Sequence, residues 1–160
     1  MVEYNMKKSL LCLFIIIFFN GCGACNNEKC IDFYNNSNKK TSMSIGWKYP
    51  DTTLENNHIR YFMHPSVFSF QKRVICEEGH ASFEGLFLRQ DTAMLFLFDD
   101  SVIENTDWKI VEKDYLVLQR YDLSLQDLEK LNWKVYYPPT EAMKDMKMFP
   151  PYQEKKDDTE

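Results

Sequence analysis

The chain has 160 residues, a formal net charge of −5 and 44% hydrophobic residues, which is enough apolar material for one packed domain and too much for a disordered chain. Its lysines and arginines are scattered, so no concentrated positive field is available for a phosphate backbone, and nucleic acid is not an expected partner. The 12 Phe, 9 Tyr and 3 Trp, with many Val and Ile, favour strands over helices.

Residues 1–21 have the three parts of an export signal. Lys7 and Lys8 form a short positive region, Leu10 to Phe19 is an unbroken apolar run, and Gly21 places a small residue before Cys22. Ten helical residues cover about 15 Å, against a hydrocarbon layer of about 30 Å, so the run is too short to span comfortably. The stretch FFNGC resembles a bacterial lipobox, the recognition site of the lipoprotein signal peptidase. Gly21 and Cys22 match that pattern, whereas Phe19 and Asn20 depart from its usual Leu and small residues. The resemblance implies that the Cys22 thiol receives a diacylglyceryl group and that the chain is then cut before it. Cys25, preceded by Gly23-Ala24, is the alternative acceptor. Two or three acyl chains, at ~0.8 kcal/mol per buried methylene, hold a protein on a bilayer essentially permanently.

Residues 22–29 (CGACNNEK) are small and polar and suit a short tether. Cys25, Cys30 and Cys76 remain once Cys12 leaves with the signal and Cys22 takes lipid. An oxidising compartment permits a disulfide. Cys30 begins an alternating run and Cys76 ends another, so Cys30–Cys76 is the expected pair, with the connectivity open among three cysteines and free thiols the alternative.

The expected globular part runs from 30 to 138. Ile31 and Phe33, then Met43, Ile45 and Trp47, alternate with polar residues, the period of half-buried strands. NNSNKK between them supplies turn formers, so a hairpin is expected, closed by Pro50. Ile59–Met63 reads as a short strand stopped by His64-Pro65, and Val67–Ile75 as extended with an interruption near Ser69. Ser82 can cap a helical turn through Phe87. MLFLF (94–98) has the length and continuity of a strand buried on both faces, ended by Asp99-Asp100. Thr106 can cap a helix reaching about Asp114, with Trp108, Val111 and Tyr115 along one stripe. Leu116–Tyr121 reads as a strand.

In YDLSLQDLEKLNWKVYYPP, Ser124 and Asp127 stand at capping-box spacing, and Leu123 and Leu128 at the positions of a hydrophobic staple. Trp133, Val135 and Tyr137 then alternate as a final strand ending at Pro138-Pro139. Residues 139–160 form a polar C-terminal segment in which Met143 and Met146 can seat one helical turn before the chain frays. The expected fold is mainly β, a small antiparallel sandwich-like domain with two or three short helices in its connections. The alternative is an α+β single sheet with helices on one face.

Few residues point to chemistry. His58, His64 and His80 lack the fixed spacing of a ligand pair, so no metal and no cofactor is expected. No nucleophile elbow or glycine-rich phosphate loop occurs, so no catalytic residue is assigned. Glu77-Glu78 and Asp99-Asp100 read as turn-forming, solvated acids, with Asp99 the one acid to test because strand ends border clefts. Among Trp47, Tyr49, Trp108, Trp133, Tyr136 and Tyr137, alternation places Trp47, Trp133 and Tyr137 toward the core and leaves Tyr136 as the exposed contact.

FYNNSNK, YPDT, FEGLF, LFLFD, RYDLSLQDLEKLNW and EAMKDMKMFPPY together resemble a group of small uncharacterised lipoproteins of gut Bacteroidota. The resemblance implies an envelope location and a compact strand-rich fold, and no reaction. The expected role is therefore a lipid-anchored cell-envelope protein, a binding or accessory subunit whose partners are the bilayer, through acylated Cys22, and an unidentified envelope protein. An envelope hydrolase or an inhibitor or immunity-type protein is the alternative. The resemblance further implies that an acidic tract after the lipidated cysteine favours the cell surface; with only Glu28 acidic near Cys22, the periplasmic face of the outer membrane is preferred.

Overall fold

The structure, a computed structural model, describes residues 29–76 and 83–154. Among them eight strands run in the order β1 (Ile31–Asn35), β2 (Thr41–Gly46), β3 (Met63–Val67), β4 (Gln71–Ile75), β5 (Thr92–Asp99), β6 (Gln119–Ser124), β7 (Lys134–Tyr137) and β8 (Lys147–Phe149). They form a three-stranded sheet, β4-β1-β7, and a five-stranded sheet, β3-β2-β5-β6-β8. All neighbours are antiparallel except β1 and β7, which are parallel. The fold is mainly β with short helices in the connections, as the composition implies. Two sheets replace the single-sheet alternative. The described residues hold four short α-helices rather than two or three: α1 (Phe83–Phe87), α2 (Asp100–Asn105), α3 (Trp108–Lys113) and α4 (Leu125–Lys130).

β5 organises the core. Residues Ala93 to Phe98 are all buried, because the strand lies mid-sheet with apolar material on both sides. Ala93, Leu95 and Leu97 join a cluster with Ile31, Phe33 and Val135 of the three-stranded sheet and with Tyr121 and Leu123 of β6. Met94, Phe96 and Phe98 join a second cluster with Leu54, Ile59 and Val111, closed by Trp108 and Tyr49. The five-stranded sheet is thus a middle layer. Burying each of the five large side chains, Met94 to Phe98, stabilises the fold by roughly 1.5–3 kcal/mol.

The expected hairpin does not form. β1 pairs with β4 (Ile31↔Ile75) and β7 (Phe33↔Val135), whereas β2 pairs with β3 and β5 (Met43↔Leu97). NNSNKK does turn the chain, but it carries it from one sheet to the other. Asn35 holds this corner: it is fully buried, and its Nδ2 donates to the carbonyls of Lys39, Val67 and Phe68 while its Oδ1 accepts from the Ser37 N–H. A buried amide left without these partners would cost about 1–3 kcal/mol.

Further boundaries differ from expectation. Ile59–Phe62 is a 3-10 turn, and the strand starts at Met63 and continues through His64-Pro65 to Val67. Proline is tolerated there because β3 is an edge strand, so the missing donor can face the open side. The interruption expected near Ser69 is present, and it separates two sheets: Phe68 to Phe70 carry the chain from β3 to β4 in the other sheet. The helix-capping role expected of Ser82 lies outside the described residues. Asp99 caps α2, a helix not expected from the sequence, by accepting from the Ser101 N–H. Thr106 ends that helix, and Asp107, not Thr106, caps α3 through the Lys109 N–H at 2.8 Å. Either oxygen could serve, and the geometry of α2 assigns the cap to the later residue. β6 starts three residues later than the strand expected at Leu116 and runs into the cap of α4.

The C-terminal half follows its local signals closely. Ser124 Oγ accepts from the Asp127 N–H at 3.1 Å and Asp127 Oδ2 accepts from the Ser124 N–H at 2.9 Å, a complete capping box. Leu123 and Leu128 are buried in the same cluster. β7 is not the final strand: after Met143 and Met146, both buried, β8 adds to β6 with Tyr121 opposite Met148. Its alternation is only three residues long, too short to read as a strand against a mixed-charge background.

One glycine sits at a point of close approach. A Cβ on Gly46 would stand 2.7 Å from Asn57 Oδ1 and 2.9 Å from the Phe96 ring. That space lets Asn57 accept from the Lys48 N–H and donate to the carbonyls of Asp51 and Thr53, which ties the long β2–β3 connection to the sheet.

Candidate functional surfaces

Cys22, Cys25 and His80 lie outside the described residues. Cys30 and Cys76 are joined by a disulfide with their Cα atoms 4.5 Å apart. They flank the Ile31↔Ile75 pair, so the bond pins the first residue of the described domain's sheet to the end of β4. The bond closes the chain over a separation of 46 residues.

The acids after β5 are not simply solvated. Asp99 pairs with Lys39 at 2.8 Å and accepts from Ser101, and these contacts hold its carboxyl below the usual range. Asp100 is buried and accepts from Ser42, Ser66 and Lys40. Burial pushes its pKa up, but the three charged and hydroxyl donors outweigh that and leave it at about 2. Ser42 belongs to β2, Ser66 to β3 and Lys40 to the β1–β2 connection, so Asp100 fastens three segments at the inter-sheet corner. An acid with so low a pKa takes no proton from either serine near neutral pH, so this arrangement does not activate a nucleophile. The reading of Asp99-Asp100 as two solvated turn residues fails because the chain enters α2 at Asp100 and turns that side chain inward.

A cleft of about 780 Å³ lies between the β7 exit and the segment after β8. Tyr137, Pro138 and Pro139 form one wall and Pro150, Pro151 and Tyr152 the other, with Gln119 and Asn36 along its course. Gln119 donates to the Pro150 carbonyl at 2.9 Å and Tyr152 donates to Glu141 at 3.1 Å, so the second wall is tied back to the domain. Tyr137 is half-buried; burial raises its hydroxyl pKa, and Lys39 and Asp99 act on it electrostatically. Asp99 does not itself line this cleft; it acts on Tyr137, which does, and is paired to Lys39.

The aromatic residues divide. Trp47 and Trp133 pack on Phe83, with centroids 6.1 Å apart in each case, and belong to the core rim. Trp108 donates to Glu112 and packs on Phe98. Tyr136 lies on the outer face of the three-stranded sheet, stacked on Tyr34 with centroids 4.9 Å apart and planes at 19°. Lys72 sits over Tyr34 at 5.7 Å and pairs with Asp32 at 3.1 Å. His58 is exposed, and His64 is half-buried in β3, where burial and Arg73 lower its pKa. Neither histidine joins a group of metal-ligating side chains among the described residues.

No family model, curated protein or solved structure matches the chain. The functional reading therefore rests on the chain's own residues. The Asp100 corner and the Tyr34–Tyr136 stack escaped sequence reasoning because each joins residues from different segments. Only the outward alternation of Tyr136 signalled the second.

Proposed function

We propose that the protein is a lipid-anchored component of a bacterial cell envelope, held by an acylated Cys22 and acting as a binding or accessory subunit. The observation that carries this reading is the order Lys7-Lys8, Leu10–Phe19, Gly21-Cys22, eight residues ahead of Cys30. A positive start, a short apolar run and a small residue before cysteine are what an exported and lipidated chain requires. Residues 22–29 then act as the tether, and the periplasmic face of the outer membrane is the preferred site. A disulfide at the first residues of the domain is consistent with an oxidising compartment.

A binding role is favoured over a hydrolase by the chemistry of the polar clusters. The buried acid is saturated with donors, and of the acids lining the cleft Glu141 is already engaged by Lys144 and Tyr152, beside prolines and tyrosines that supply contact area. Labelled palmitate should enter the wild type in a bacterial host and fail to enter Cys22→Ala. Undiminished labelling of Cys22→Ala would refute Cys22 as the acceptor and move the assignment to Cys25. Absence of label from both would refute the lipid anchor.

A further inference from the structure

Seven large apolar side chains are exposed among the described residues, and three of them, Phe68, Phe70 and Val74, lie on β4 or the turn that leads into it. β4 is an edge of the three-stranded sheet, whose inner face supplies Ile31, Phe33, Ile75 and Val135 to the core. Its outer face carries Asp32 and Tyr34 from β1, Lys72 and Val74 from β4, and Lys134 and Tyr136 from β7, as the registers and the alternation require. Among the described residues no element covers these side chains in the way that α3 and the β2–β3 connection cover the far side of the five-stranded sheet.

The charge on this face runs against that of the molecule. The chain holds 24 acids and 19 lysines and arginines. The face has two lysines and one acid, and since Asp32 pairs with Lys72 its net charge is positive. Tyrosines, a valine and snorkelling lysines on a flat surface are the composition of a bilayer interface rather than of bulk water.

The tether brings this face within reach of the membrane. The chain passes from residue 22 through the tether directly into β1, and eight residues extend at most about 28 Å. The disulfide fixes that point to β4. Resting on the anchoring proposed above, we infer that the outer face of the three-stranded sheet lies against the same bilayer, with Tyr34, Tyr136 and Val74 at headgroup depth and Lys72 and Lys134 on anionic lipid. Phe70, exposed by 73% at the far end of β4, forms the distal contact. Such seating fixes the orientation of the domain and turns α3 and the far side of the five-stranded sheet toward the envelope space. Each lysine near an anionic surface adds an attraction that salt screens.

The test uses the lipidated full chain reconstituted in vesicles of phosphatidylethanolamine and phosphatidylglycerol in equal parts. Flotation of the protein with the vesicles checks the anchor. Val74→Trp, an exposed position that tolerates a large side chain, is compared with Lys113→Trp at the end of α3, both corrected for the native tryptophans. Lipids brominated near the headgroup end of the acyl chain should quench Val74→Trp at least twofold more than Lys113→Trp, and Lys72→Glu with Lys134→Glu should erase the difference. Flotation with equal quenching at the two positions overturns the seating while leaving the anchor intact. Failure to float overturns the anchor, and the seating with it.

Discussion

In β1 every second residue is buried, while in β5 six consecutive residues are, and the two patterns record how each sheet is covered. The three-stranded sheet has one packed face and one bearing Tyr34, Tyr136, Lys72 and Val74. The five-stranded sheet has a core on both sides, closed on the far side by α3 and the β2–β3 connection. Strand pattern therefore reports layers: alternation marks an outer sheet, and a continuous apolar run marks a middle one. In a protein read as a membrane-anchored binder, the sheet that the tether enters is the one left uncovered.

The largest effect should separate the two sheets by side-chain deletion. Phe96→Ala removes a buried ring from the middle layer and should cost about 3–5 kcal/mol in urea unfolding. Tyr34→Ala removes one partner of an exposed stack and should cost about 0.5–1.5 kcal/mol. Equal losses would mean that the outer face is packed as tightly as the inner one. Replacing both Cys30 and Cys76 by Ala releases the closure of β1 on β4 and should cost about 2–5 kcal/mol, toward the upper part for so long a loop. Because the disulfide lies in the outer sheet, amide exchange should rise in β1 and β4 more than in β5.

The corner between the sheets gives a pH dependence. The folded pKa of Asp100 is about 2, below the unfolded value of about 3.9. A depressed carboxylate contributes stability that is fully present above the unfolded value and is lost as pH falls through the folded one. The window is therefore pH 4 down to about 2, and the contribution about 2–2.5 kcal/mol. In Asp100→Asn the wild-type loss of stability across that window should shrink by that amount, read from urea midpoints at each pH. An unchanged slope would show that the corner is held without the ionised acid.

Much of the molecule was legible from local signals. The β5 run, the Ser124–Asp127 box with its Leu123–Leu128 staple and the seating of Met143 and Met146 all depend on residues a few positions apart. Partnership between strands did not follow. Alternation in Ile31–Phe33 and Met43–Ile45 specifies which side chains face inward, but not whether the inner faces share one sheet. Here the deciding residue is Asn35, whose amide bonds to carbonyls 32 and 33 positions away, which no local window contains. The same limit hid the Asp100 corner, built from Lys40, Ser42 and Ser66. At Pro65, a rule sound for central strands misled because edge position is itself a tertiary property.

The central claim is that the chain acts from a lipidated Cys22, and intact-mass measurement of the protein purified from membranes addresses it most directly. The account predicts a species that begins at residue 22, carries diacylglyceryl on the Cys22 thiol and retains the bond between Cys30 and Cys76. A membrane-bound species with residues 1–21 still attached and no lipid on any cysteine would contradict it.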